Sequence, residues 1–131
     1  MSEQKFELIF LQVVLPVSQQ FDPQLVLISA GYDPAVGCPE GEQAVSPACF
    51  AHMTHSLMSL AGGRVCAVLE GGYFPPSLAE GAALTLRTLL GDPCPLLPSP
   101  TLPDVEKHMR LTIRYLKCIL FDFVVTQEIL K

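Results

Sequence analysis

Leu25-Val-Leu-Ile-Ser-Ala-Gly-Tyr-Asp33 and Val65-Cys-Ala-Val-Leu-Glu-Gly-Gly-Tyr73 are two apolar runs that each stop in a turn. Their length, branched residues and terminal glycines predict strands buried on both faces. Strands that alternate with helices build a parallel α/β sheet, and sites in such sheets form beyond the carboxyl ends of the strands. Asp33 and Tyr73 stand just past those ends, so the two are expected to face one pocket.

Outward from these runs the chain reads α-β-α-β-α-linker-α. Residues 4–15 carry Phe6, Ile9, Phe10, Val13 and Val14 at helical spacing, and Pro16 is expected to stop or kink that helix. Pro34 to Val45 is an irregular, polar loop suited to a pocket rim. Ser46 is a helix N-cap with Pro47 in the first turn. Phe50, Met53, Leu57, Leu60 and Ala61 form the inward stripe of that helix, and Gly62-Gly63 ends it. After the second strand, Ser77-Leu-Ala-Glu80 fits a capping box opening a helix that runs to about Leu90. Residues 92–103 hold five prolines and read as an extended connector. A last helix is expected from Asp104, followed by an apolar tail from Phe121. Two strands do not make a stable sheet alone, so more are expected than the chain obviously contains.

The totals narrow the function. The chain has 131 residues, half of them hydrophobic, and a formal net charge of −5. The negative charge argues against nucleic acid or an anionic membrane as partner. Only 16% of residues are charged and mean hydropathy is +0.40, which is apolar for so small a domain. That composition fits either a deeply buried core or a surface meant to be covered. Five scattered cysteines without a C-x-x-C favour a reducing compartment, with Cys66 as a small core hydrophobe. The N-terminus lacks a signal-peptide layout and the run Leu8 to Val17 is too short to span a bilayer, so an intracellular protein is expected.

Each candidate residue has a structural reading beside the chemical one. Asp33 is a metal ligand, a general base or a turn cap. Tyr73 either donates a hydrogen bond to a developing oxyanion or packs over the sheet. Glu70 is expected to pair with a backbone N–H near the Gly71-Gly72 turn, whose missing side chains let a ligand approach the backbone. His52 and His55 are spaced to clamp a metal, yet fall opposite the apolar stripe and read as a solvated face, as does His108. No Walker loop occurs, and Ala61-Gly-Gly-Arg64 precedes a strand where a dinucleotide fingerprint would follow one.

Ser29-Ala-Gly-Tyr-Asp33, Gly37-Cys-Pro-Glu-Gly41, Leu60-Ala-Gly-Gly-Arg64, Leu69-Glu-Gly-Gly-Tyr73 and Leu89-Leu-Gly-Asp-Pro93 resemble, in order and spacing, the C-terminal third of a zinc-dependent histone deacetylase domain. The resemblance covers residues 8–97 and is to class IIb, with the first domain of an insect-type histone deacetylase 6 ahead of histone deacetylase 10. It implies an arginase-like α/β fold with a central parallel sheet, here incomplete and flanked by helices. It implies that 1–97 are deacetylase domain; 98–103 then read as a Pro-rich connector and 104–131 as a terminal helix and apolar tail that only loosely resembles the family's end helix. It implies Asp33 as one ligand of a Zn2+ ion, Tyr73 as the hydrogen-bond donor to the scissile carbonyl, and Gly71, Gly72 and Glu40 at the substrate. The reaction implied is hydrolysis of N-acetyl-lysine in histone or tubulin, in cytoplasm or nucleus.

The departures from the family pattern are specific. The sequence has no Asp-x-His and no His-His, both of which are expected upstream of Met1. Cys38 stands where the family often has Asp, and Phe74 where it has Asn or His. Glu40 stands at the rim position of an acidic gatekeeper that favours acetyl-polyamines. The chain alone is therefore expected to bind zinc poorly and to be inactive, as a deacetylase fragment, an acetyl-polyamine deacetylase fragment or a non-catalytic interaction module.

Overall fold

A computed structural model describes residues 3–41 and 43–97, together with Ile113, Arg114 and Leu116, which are helical. The expected connector at 98–103 and the tail lie outside the described residues. Among the described residues no helix is long and apolar enough to cross a membrane.

The first helical stretch runs through Pro16. It comprises α1 (Glu3–Ile9), a π-helical turn (Phe10–Val14) and α2 (Leu15–Phe21). Within a regular α-helix, a proline would lack a donor and crowd the carbonyl one turn back. Here the π turn resets the register, with the Leu15 N–H bonding to the Phe10 carbonyl, and Pro16 falls in the first turn of α2. The donor it lacks is not needed there. The wider turn also rotates the stripe: Val13 is buried, whereas Val14 faces solvent. The expectation of a stop at Pro16 fails for this reason. The true stop is Asp22, in left-handed conformation at the C-cap.

Strands β1 (Val26–Ala30) and β2 (Val65–Leu69) pair in parallel, Val26 with Val65 through Ala30 with Leu69. Helix α3 (Pro47–Leu57) lies between them in sequence, and α4 (Pro75–Leu89) follows β2 and packs along α3. Burial on both faces does not hold. In β1, Val26, Ile28 and Ala30 are half-buried while Leu27 is 70% exposed. In β2, Cys66 and Val68 are exposed, so Cys66 is not a core residue. Helices cover one face of the sheet; the other carries no layer among the described residues.

The core forms around Tyr32, Ala35, Val45, Cys49 and Phe50. The Tyr32 and Phe50 rings sit 5.0 Å apart at 56°, a tilted pairing worth roughly 0.5–1.5 kcal/mol beyond the area buried. Tyr32 also donates its hydroxyl proton to Thr85 Oγ1 at 2.9 Å, satisfying both buried groups. The 34–45 loop is less irregular than its composition implies. Ala35 and Val45 pair across its base, and both are buried with Cys38.

Ser46 caps α3 as expected, accepting the Cys49 N–H. Leu60 and Ala61, assigned to its stripe, lie beyond its end at Leu57. Leu60 is extended but buried, and Ala61, Gly62 and Gly63 all take positive φ. The expected capping box does not form. Pro75 and Pro76 start α4 earlier, with Phe74 at the N-cap and no side-chain cap. Ser77 is then inside the helix and donates instead to the Val36 carbonyl. Among the described residues Cys38, Cys49, Cys66 and Cys94 are in no disulfide.

Candidate functional site at the strand ends

The chain leaves β1 through Gly31 and Tyr32 into Asp33, and leaves β2 through Glu70 into Gly71 and Gly72. The two exits are stitched together. Tyr32 N–H donates to the Gly71 carbonyl at 3.3 Å, and Gly72 N–H donates to Asp33 Oδ1 at 3.2 Å. The glycines are required by space and by conformation. Gly71 (φ 98°) and Gly72 (φ 112°) occupy the left-handed side that other residues avoid. A Cβ on Gly71 would collide with the Asp33 carboxylate, and one on Gly72 would stand 2.8 Å from Tyr32 Cβ.

Tyr32 is thus the fixed point beneath the site. Besides Phe50 and Thr85 it fills the notch left by Gly81, where a Cβ would come within 2.7 Å of its ring. Asp33, the next residue, is half-buried above it.

The rim loop is tied to the second exit. Tyr73 N–H donates to the buried Cys38 Sγ at 3.4 Å. The Phe74 ring lies over Gly37, where a Cβ would approach to 2.7 Å. Both departures from the family pattern, Cys38 and Phe74, therefore bind the loop to the Tyr73 turn. The sequence offered no local sign of this role. Gly41 turns the loop back against the Asp33 carbonyl, and Glu40 beside it is exposed.

The structure brings Asp33, Gly71 and Gly72 into contact, with Tyr73 next in chain and 65% exposed. At this end of the sheet Asp33 is half-buried and Tyr73 is exposed. An apolar cavity of about 220 Å³ lies elsewhere, on the helical side of the sheet, between Phe6, Phe10, Ile28, Phe50 and Met53. None of the five candidate site residues lines it.

Two expectations are corrected. Glu70 accepts the Ser29 hydroxyl proton at 2.6 Å rather than a backbone N–H. The residues are adjacent because β1 and β2 are in register, which spacing along the chain cannot reveal. His52 is half-buried, with Nε2 2.8 Å from the Pro95 carbonyl oxygen. A carbonyl only accepts, so the ring donates and pins the segment after α4 to α3. His55 is exposed as expected, and His108 lies outside the described residues.

No three His, Cys, Asp or Glu side chains among the described residues converge on a point that could hold a metal. A catalytic zinc takes about three protein ligands. Asp33 offers one carboxylate, of which Oδ1 already accepts the Gly72 N–H. The described residues do not by themselves fit a zinc site.

The histone deacetylase domain pattern matches residues 1–89. The chain belongs to the histone deacetylase family. It is 58% identical over 94 residues to the polyamine deacetylase HDAC10 of Homo sapiens, covering 72% of this chain and 14% of that protein. It is 47% identical over 89 residues to histone deacetylase 6 of Caenorhabditis elegans, covering 68% of this chain and 9% of that protein. The likeness is thus to class IIb, and of these two relatives the histone deacetylase 10 branch has the higher identity. A solved structure of the histone deacetylase Clr3 superposes with a TM-score of 0.82 at 37% identity, over 92% of this chain and 20% of that one. The fold is accordingly that of a histone deacetylase, arginase-like, and the chain describes a part of such a domain. The family is zinc-dependent in general, although no complete metal site lies among the described residues.

Proposed function

We propose that residues 1–97 are the C-terminal part of a zinc-dependent lysine deacetylase domain, which contributes Asp33 and Tyr73 to the site and does not hydrolyse acetyl-lysine as this chain alone. The Gly72–Asp33 hydrogen bond supports the reading, because it makes one unit of two strand exits 39 residues apart in sequence. In a complete domain, Asp33 is one ligand of the zinc. The Tyr73 phenol, exposed and at the same edge, donates a hydrogen bond to the acetyl carbonyl oxygen as charge develops on it. Gly71 and Gly72 keep the floor free of side chains. The substrate class is the acetylated lysine of a protein such as histone or tubulin, in cytoplasm or nucleus.

Zinc analysis of the purified 131-residue chain, with a hydroxamate-sensitive deacetylase assay on the same sample, tests the proposal. The expected result is a folded chain with zinc well below one per chain and no deacetylation. One tightly held zinc and inhibitor-sensitive turnover would overturn it.

A second reading has its own observation. Glu40 is an exposed carboxylate on the loop that folds against Asp33, where it can attract a cationic acetyl-polyamine. Glu40→Leu in a complete domain is expected to shift preference from acetyl-spermidine toward an acetyl-lysine peptide. An unchanged preference would remove this reading.

A further inference from the structure

Tyr73 carries its phenol on permissive backbone. Gly71 and Gly72 precede it at φ 98° and 112°, and glycine restrains the chain that follows very little. The Tyr73 side chain is 65% exposed, so packing does not aim the ring. The aim of the phenol is therefore set by the main chain at residue 73 and by whatever holds it.

Among the described residues, that hold comes from the 34–45 loop. The Tyr73 N–H donates to Cys38 Sγ at 3.4 Å, and the next ring, Phe74, lies over Gly37, the neighbour of Cys38. The loop is anchored without help from Tyr73. Cys38 N–H donates to the Ala35 carbonyl, Val36 N–H to the Val45 carbonyl and Val45 N–H to the Pro34 carbonyl, each at 3.0 Å. The Ser77 hydroxyl on α4 donates to the Val36 carbonyl. The buried Cys38 sulfur thus sits on a fixed frame and offers the amide of a mobile-by-nature turn one acceptor. A thiol accepts weakly, so the tether is adjustable by the chemistry of this one side chain.

We propose that Cys38 is a positioning residue for Tyr73: its sulfur, by accepting the Tyr73 N–H, sets where the phenol meets the acetyl carbonyl oxygen. The inference rests on the deacetylase reading above and adds to it the group that acts through Tyr73. An acceptor that aims a hydrogen-bond donor acts on the rate of the chemical step more than on substrate binding, because the donor's bond strengthens as charge develops.

The test uses human HDAC10 with its matched stretch exchanged for that of this chain, assayed with acetyl-spermidine and with an acetyl-lysine peptide. Two substitutions separate positioning from packing. Cys38→Val fills the place with an apolar side chain and offers no acceptor; Cys38→Ser offers a hydroxyl oxygen. Cys38→Val is expected to lower kcat roughly 2- to 10-fold, the range of one lost hydrogen bond, with KM unchanged. Cys38→Ser is expected to keep kcat within about twofold of the Cys38 enzyme. In a Tyr73→Phe background, Cys38→Val should lower kcat no further, since the group it positions is gone. In the 131-residue chain, the Tyr73 amide should exchange faster in Cys38→Val than in Cys38→Ser. Full kcat in Cys38→Val with loss in Cys38→Ser would assign Cys38 to packing and overturn the inference. So would a change confined to KM, or an equal loss from Cys38→Val with and without the Tyr73 hydroxyl. An exchanged enzyme that turns over but is indifferent to both substitutions sinks the positioning role alone. One that folds and does not turn over with Cys38 intact sinks the proposed function and the positioning role with it.

Discussion

Gly72 gives its backbone N–H to Asp33 Oδ1 across the two strand exits, at 3.2 Å. That bond orients the carboxylate without another side chain and holds Oδ2 against Gly71. The orientation depends on the absence of side chains at two consecutive positions.

Gly71→Ala should therefore lower stability and disturb Asp33 together. A methyl group there meets the carboxylate and sits at φ 98°, a conformation whose strain alone costs about 1–3 kcal/mol. Urea denaturation of the variant should show a reduced midpoint. An unchanged midpoint would mean that the turn has relaxed and that the close approach matters little.

Tyr32 and Thr85 form a buried pair that fixes the base of the site. Tyr32→Phe leaves the Thr85 hydroxyl unpaired and should cost about 1–3 kcal/mol. Adding Thr85→Val removes the orphaned group, so the double variant should lose less than the sum of the singles. Strict additivity in a double-mutant cycle would show that the two hydroxyls do not interact.

Tyr73→Phe separates function from folding. With 65% of Tyr73 exposed, the chain's stability should change by no more than about 0.5 kcal/mol. In a complete domain carrying this segment, kcat should fall by roughly 10²–10³-fold through loss of one oxyanion donor. A folded complete domain that keeps full kcat would rule out that role for Tyr73.

Cys38 accepts the Tyr73 N–H, joining the rim loop to the second strand exit. Cys38→Ala should leave that amide without its sulfur partner. Its hydrogen exchange should quicken while amides of α3 and α4 keep their protection. Uniform acceleration through α3 and α4 would instead indicate loss of core packing, since Cys38 is itself buried.

A chelator should leave the far-UV spectrum and melting of this chain unaltered. No described cluster of side chains holds a metal, so removing metal removes no folding energy. A chelator-induced loss of structure would reveal ligands outside the described residues.

Some features were legible because their causes are local. Ser46-Pro47 opens α3 since a hydroxyl reaches an N–H three residues on. The branched runs before Asp33 and Tyr73 are strands, and the ordered motifs carried the family. Other features hung on partners far along the chain. Ser77 looks like a cap by its spacing to Glu80, yet Val36, 41 residues away, takes its hydroxyl. Glu70 looks ready for the glycine turn beside it, yet Ser29 is nearer once the strands are in register. Pro16 is a helix breaker by composition, and only the π turn before it makes it harmless.

The sequence alone determined the two strand exits, the helix that Ser46 caps and the membership of a deacetylase domain, because these depend on short-range backbone preference and on motif order. Tertiary structure decided that Gly72 holds Asp33, that Cys38 and Phe74 bind the rim to Tyr73, and that Leu27, Cys66 and Val68 are exposed on one face of the sheet. Contacts between residues dozens of positions apart follow from register and packing, which no local stretch of sequence encodes.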